Sequence, residues 1–229
     1  QKMYPDSTNR GWRMNFSTGK NKGRYQYEYR LSAENNTYDP NDIGFLRNNN
    51  EIEHELRLEA NQYNPKGAYL NLFRTFAIDY ETLYNPYEFT DLRIRYQSFR
   101  TYRRHNSIFW RAGIKPVIGY DYNEPRKENR YFITPKRADI FFAFFQDSKK
   151  KIYLRLRAGA GGSLSEFSGK NNYYLSLQPN LRLNSKTKIN YNLKFRKIFR
   201  ERGWVEELNH KIIFCILQDK ILAFCKKKM

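Results

Sequence analysis

Apolar and polar side chains alternate one by one along most of this chain, the period of a β-strand whose two faces meet different surroundings. Arg24 to Glu34 is the plainest case. Tyr25, Tyr27, Tyr29, Leu31 and Ala33 share one face, opposite Arg24, Gln26, Glu28, Arg30, Ser32 and Glu34. In 172–184, Tyr173, Leu175, Leu177, Leu181 and Leu183 oppose Ser176, Gln178, Asn180 and Arg182. The apolar set of 151–164 is Ile152, Leu154, Leu156, Ala158, Ala160 and Leu164. Ile189, Tyr191, Leu193 and Phe195 alternate with Asn190, Asn192, Lys194 and Arg196. Ile108, Trp110, Ala112, Ile114, Ile118, Tyr120 and Tyr122 continue the pattern, as do Ile52, Leu56, Leu58 and Ala60. Leu70, Leu72, Phe76, Ile78 and Tyr80 share a face; Leu92, Ile94 and Tyr96 begin another that blurs after Ser98. Trp12, Met14 and Phe16 belong to the first segment, while 138–145 is apolar on both faces.

Ten long strands result, with an eleventh segment starting at His210. The links between them alternate in length. Links 19–23, 64–67, 104–106, 147–150 and 184–186 are short; 35–50, 83–90, 123–137, 165–171 and 200–209 are long. Successive links of an antiparallel meander fall on opposite rims, so one rim has tight turns and the other long loops. That is the layout of an outer-membrane barrel, with turns in the periplasm and loops outside. Strands of about ten to fourteen residues suit a tilted membrane crossing of about nine to eleven better than a soluble sandwich. Pro116 and Pro179 fall inside good strands and predict a bulge or an early end, because a central ladder position cannot spare its N–H. Gly159, Gly161 and Gly162 predict curvature or close backbone approach rather than a phosphate loop, since no helix pattern follows them.

Lys and Arg number 42 against 23 Asp and Glu, a formal charge of +19, and aromatics make up 17% of the chain. Such aromatic content excludes a disordered chain. A mean hydropathy of −0.89 excludes helical membrane spans but not a barrel, whose inner face is polar. The basic residues are spread over nearly every strand rather than gathered beside stacking aromatics, so no nucleic-acid partner is expected. Cys215 and Cys225 form neither a disulfide framework nor a metal site.

With short links in the periplasm, the strand at 11–18 runs toward it, and so does the segment from His210. Even strand numbers then predict at least one further strand upstream, and a chain that is the C-terminal part of a larger barrel. Alternation lapses after Phe214, which divides the chain into a partial barrel domain at 1–214 and an atypical basic tail at 215–229. An altered reading frame or chain end near Phe214 is one source of that lapse; an ordinary basic tail is the other.

The run Tyr38-Asp39-Pro40-Asn41-Asp42-Ile43-Gly44-Phe45-Leu46 resembles a motif of large Bacteroidetes outer-membrane proteins. In those proteins a carbohydrate-binding domain similar to binding-module family 9 precedes a barrel domain of unknown function. Gly11-Trp12, then Gly19-Lys20-Asn21-Lys22-Gly23, and later Gly203-Trp204-Val205-Glu206 resemble the same family. The likeness spans roughly 11–214. It implies an outer-membrane location, a transmembrane barrel fold and a preceding sugar-binding domain, with no established activity.

Candidate chemistry is sparse. Asp39, Asn41 and Asp42 place oxygens near one another, but they lack the spacing and terminal Glu of an EF-hand loop. Asx residues beside Pro and Gly are turn formers, with Gly44 supplying a positive φ and Phe45 and Leu46 plugging the loop onto the barrel. His54, His105 and His210 sit in separate segments without a paired nucleophile, so no catalytic residue, metal or cofactor is assigned. Trp12, Tyr63, Trp110, Tyr120, Tyr122 and Trp204, with Tyr84, Tyr87 and Tyr131, are candidates for the aromatic girdles at the two membrane surfaces. Arg24, Glu28, Arg30, Arg155, Arg157, Arg182, Lys194 and Arg196 are candidates to line the lumen and favour anionic solutes.

The leading expectation is a non-enzymatic outer-membrane barrel fragment, with the lipid bilayer as partner and a glycan or anionic solute as ligand. The barrel of a TonB-dependent, SusC-like transporter is one alternative. A soluble basic β-protein that binds nucleic acid or acidic polysaccharide is the other.

Overall fold

The computed structural model describes residues 10–38, 49–122, 131–164, 171–184 and 187–199 in full, and 201–208, 211–217 and 220–228 through their backbone. Among the described residues fifteen strands follow one another: β1 (Arg13–Lys20), β2 (Tyr25–Glu34), β3 (Glu51–Gln62), β4 (Tyr69–Leu83), β5 (Phe89–Tyr102), β6 (Ser107–Lys115), β7 (Gly119–Asp121), β8 (Phe132–Thr134), β9 (Arg137–Phe145), β10 (Ile152–Ser163), β11 (Asn171–Arg182), β12 (Lys188–Phe199), β13 (Glu201–Leu208), β14 (Lys211–Leu217) and β15 (Lys220–Lys228). Eleven of them form one sheet in the order β1-β2-β3-β4-β5-β6-β9-β10-β11-β12-β15, and the pairs β7-β8 and β13-β14 are small separate ladders. All these ladders are antiparallel. The fold is an all-β meander. Among the described residues β1 pairs with β2 alone and β15 with β12 alone, so the sheet is not closed into a barrel.

The two-rim rhythm is present. The β1–β2, β3–β4, β5–β6, β9–β10 and β11–β12 connections are short and share one rim. The β7-β8 hairpin sits inside the β6–β9 link on the other rim, and the β13-β14 hairpin inside the β12–β15 link. Tight turns demand left-handed backbone, which Gly23 (φ 91°), Gly67 (φ 60°) and His105 (φ 57°) supply. Long links are tied at their bases by asparagines. Asn50 Nδ2 donates to the Asn85 carbonyl at 2.8 Å, the Asn85 N–H donates back to Asn50 Oδ1 at 3.0 Å, and the Trp12 N–H donates to Asn35 Oδ1 at 3.0 Å.

The two prolines act differently. β6 ends at Lys115, one residue before Pro116, so the single strand expected over 108–122 is two, β6 and β7. β11 runs through Pro179, which pairs with Leu154 of β10; its ladder to β12 skips from Leu177 to Asn180 without a change of register. A missing N–H removes bonds on one side only, so one neighbour is kept.

Register lines up the apolar positions across the whole sheet. Phe16, Leu31, His54, Tyr80 and Leu92 are successive cross-strand partners from β1 to β5. Trp110, Phe142, Ala158, Leu175 and Phe195 do the same from β6 to β12. This face is open: Phe16 is 51% exposed, Ile140 55% and Leu175 47%. The opposite, polar face holds buried Glu34, Asn61, Asp79, Ser176 and Asn180. Burial therefore runs opposite to that of a water-soluble sheet, where the apolar side is the covered one.

Candidate functional site: the polar face of the sheet

The polar face divides into two walls of different charge. On β2 to β6, acids and bases stand opposite each other in register and neutralise one another. Arg30 reaches Glu28 on its own strand at 2.8 Å and Glu55 on β3 at 3.4 Å. Glu55 also takes Arg57 at 2.9 Å and Arg95 at 3.5 Å, so it is a hub for three guanidinium groups. Arg95 grips Asp79 at 2.6 Å, and Lys115 pairs with Asp91. Delocalised guanidinium donors suit such shared carboxylates better than ammonium would.

On β10 to β12 the pattern changes. The sequences IYLRLRAGAGGS, NNYYLSLQPNLR and KINYNLKFRKIF contain no Asp or Glu. Arg157 pairs in register with Ser176, and Ser176 with Lys194; Arg155 stands opposite Gln178, and Tyr174 opposite Arg196. Among the described residues no carboxylate forms an ion pair with these four cations. Arg155 instead lies over the Tyr153 ring at 5.7 Å, and Arg157 over the Phe145 ring at 6.0 Å. Tyr153 is buried beneath Arg155, with Lys188 also 5.2 Å from its centroid.

The lumen candidates named from sequence thus fall into different environments. Glu28 and Arg30 belong to the neutralised wall, and Arg24 lies over the Tyr25 ring at 5.3 Å at the start of β2. Arg182 donates to the Ser148 carbonyl at 3.3 Å at the short-turn rim. Arg155, Arg157, Lys194 and Arg196 come together on one wall. A pocket of about 400 Å³ beside that rim is lined by His105, Ser107, Phe145, Gln146, Asp147 and Arg155, among others.

Aromatic candidates also separate. Trp12 meets Tyr84 edge-on at 5.2 Å at the long-link rim, and Tyr131 meets Tyr120 at 5.1 Å and Tyr122 at 5.4 Å. Tyr122 donates to Glu88 Oε2 at 2.7 Å; desolvation, then that bond, push its pKa up to about 12. Tyr63 sits at the short-turn rim, accepting from Gln26 Nε2 at 2.7 Å and contacting Phe73 at 5.6 Å. Trp110 lies within β6, 4.9 Å from Tyr96 on the apolar face. Trp204 belongs to β13, whose ladder with β14 shifts between Trp204 and Glu206.

Sequence reading missed an aromatic row on the polar face near the short turns. Phe73 stacks with Phe99 at 6.4 Å, Phe99 stands opposite Phe109, and Phe109 meets Phe141 at 6.0 Å. This row is why alternation blurs after Ser98 and fails in 138–145: there both faces carry rings. His54 on the apolar face is bonded to Tyr29 Oη at 2.8 Å and flanked by Tyr80, a packed arrangement without a nucleophile beside it. The motif residues Asp39, Asn41, Asp42, Gly44, Phe45 and Leu46 lie outside the described residues. Among the described residues no cluster of His, Cys, Asp or Glu is arranged to hold a metal, and no helix is long and apolar enough to cross a membrane.

Fold and site together define an antiparallel β-meander with an exposed apolar face and a charged face split into neutral and cationic walls. The chain belongs to the family described as Domain of unknown function (DUF5916), whose profile matches residues 1–223. That match crosses residue 214, where the alternation lapses. No match is found among curated proteins or among solved structures.

Proposed function

We propose that this chain is a membrane-spanning part of a non-enzymatic outer-membrane β-barrel protein, its apolar face against lipid and its polar face against water. One observation carries the reading: β1, β2, β3, β6, β9, β10, β11 and β12 of the main sheet each carry exposed apolar side chains, while Glu34, Asn61, Asp79, Ser176 and Asn180 of the other face are buried. In water, so broad an apolar surface on a monomer is unfavourable at about 25 cal/mol per Å². Against hydrocarbon it is the required surface, and the strands from β2 to β12 in the main sheet are hydrogen-bonded to a neighbour on each side. Tight turns on one rim and tied long links on the other support the same reading. The resemblance to Bacteroidetes proteins that carry a family 9-like sugar-binding domain extends it to surface glycan binding or solute passage.

Reconstitution tests it. The protein refolded into vesicles of lipids brominated along their acyl chains is expected to float with the lipid and to lose tryptophan fluorescence, with Trp110 as the main reporter. A monomer that is fully folded in buffer without detergent and stays out of the vesicles overturns the proposal.

A further inference from the structure

We infer that the β10–β12 wall is a binding track for a linear acidic polysaccharide. The inference rests on the polar face bordering water, and it goes beyond a general preference for anions by naming the residues, the wall and the ligand class.

Charge comes first. Arg155 and Arg157 of β10 and Lys194 and Arg196 of β12 project from the same face on either side of β11, in register with neutral residues rather than with acids. The β2–β6 wall shows that this sheet neutralises cations where it carries carboxylates, as Arg30, Arg57 and Arg95 do with Glu55. Four cations without a carboxylate partner among the described residues repel one another, and an anion from solution removes that cost. Residues two apart on one strand face lie roughly 7 Å apart and strands about 5 Å apart, so the charges are spread over roughly 10 Å or more. A single small anion cannot reach them all; a chain bearing repeated negative charges can.

Amides stand in the same place: Gln178, in register with Arg155, and Asn192 are bonded to each other at 3.3 Å and are suited to sugar hydroxyls.

Single-stranded nucleic acid is the competing polyanion, and it binds by stacking bases on exposed aromatic platforms. Tyr153, beneath Arg155, is 1% exposed, so its ring is closed to a stacking base. Hydroxyl-binding amides beside these cations favour the saccharide.

The test uses the whole protein in detergent micelles, with dextran sulfate, unmodified dextran and oligothymidylate of similar length as probes. Dextran sulfate is expected to bind with affinity that falls steeply with salt, and dextran not to bind. The R157Q/K194Q/R196Q variant is expected to lose on the order of tenfold in affinity, while Arg24→Gln, away from this wall, stays within about twofold. Arg157→Lys, which keeps the charge, retains binding and shows that the loss is not misfolding. Absence of dextran sulfate binding, undiminished binding by the triple variant, or equal or tighter binding of oligothymidylate overturns the inference. Vesicle partition is read separately, so failure of the membrane reading is distinguishable from failure of the track.

Discussion

Arg95 of β5 holds Asp79 of β4 through two parallel hydrogen bonds, Nε to Oδ2 at 2.8 Å and Nη2 to Oδ1 at 2.6 Å. The two are diagonal rather than direct neighbours, since Asp79 pairs in register with Arg93 and Arg95 with Ala77. Asp79 is 7% exposed, so the fork supplies the hydrogen bonds that water would otherwise give it. Arg95 is more open, with 38% of its side chain accessible, which weakens the pair through solvent screening. Replacing Arg95 by Gln is expected to lower stability by about 2 kcal/mol, less than the loss for a fully buried pair. The double variant Arg95→Leu with Asp79→Leu should recover much of that loss. Urea unfolding in micelles measures both; an unchanged single variant would remove the fork as a stabilising contact.

Ile140 separates membrane from water more sharply. It lies on the apolar face of β9 between Ala112 and Ala160 in register and is 55% exposed. In a soluble sheet, Ile140→Lys would be neutral within about 0.5 kcal/mol. Facing lipid, it is expected to cost about 2–4 kcal/mol of folding free energy in vesicles. Gln97→Lys, on the polar face, should cost far less. Equal effects of the two would contradict the lipid-facing assignment.

Gly19 closes the first turn by close approach. A Cβ there would collide with the Tyr27 carbonyl oxygen and lie 2.8 Å from Glu28 Cα, both backbone atoms that cannot rotate away. Gly159 is roomier, its nearest neighbour being the Phe141 ring at 3.3 Å. Gly19→Ala is therefore expected to destabilise by about 1–3 kcal/mol and Gly159→Ala by less. Unfolding midpoints of the two variants, compared side by side, check the order.

Tyr122 gives the long-link rim a signature at high pH. Its phenol is raised from 10.0 to about 12 by desolvation and by its bond to Glu88. A group whose folded pKa lies above its unfolded value adds stability that is complete below pH 10.0 and lost as pH climbs toward about 12. Ultraviolet titration should show one tyrosine that ionises late, absent in Tyr122→Phe and shifted back toward 10.0 in Glu88→Gln. A late tyrosine that persists in Tyr122→Phe would assign the shift elsewhere.

Much of the strand plan was legible because alternation and link length are local properties. The strands at 24–34, 51–62 and 172–184 correspond closely to β2, β3 and β11, and Pro116 marks an end as its missing N–H requires. The β7-β8 hairpin looks in sequence like a strand end and a loop, because three-residue strands are too short to show a period. β9 was hard to orient for a different reason. Phe141 and Phe145 join the aromatic row on the polar face while Ile140, Phe142 and Phe144 occupy the apolar one, so its sequence carries no contrast.

The sequence by itself determined which side chains share a face on the alternating strands and which of the long strands up to β12 are neighbours, because a period of two and short antiparallel links permit few other arrangements. The place beside β12 goes to β15 rather than to the segment from His210, which pairs as β14 with β13. Only the tertiary structure decided which charges cancel. Arg30 and Arg157 look alike in sequence, each on the polar side of an alternating strand. One finds Glu55 on the adjacent strand and the other finds Ser176. That difference belongs to the register between strands distant along the chain, since a charge interacts with what lies beside it in space.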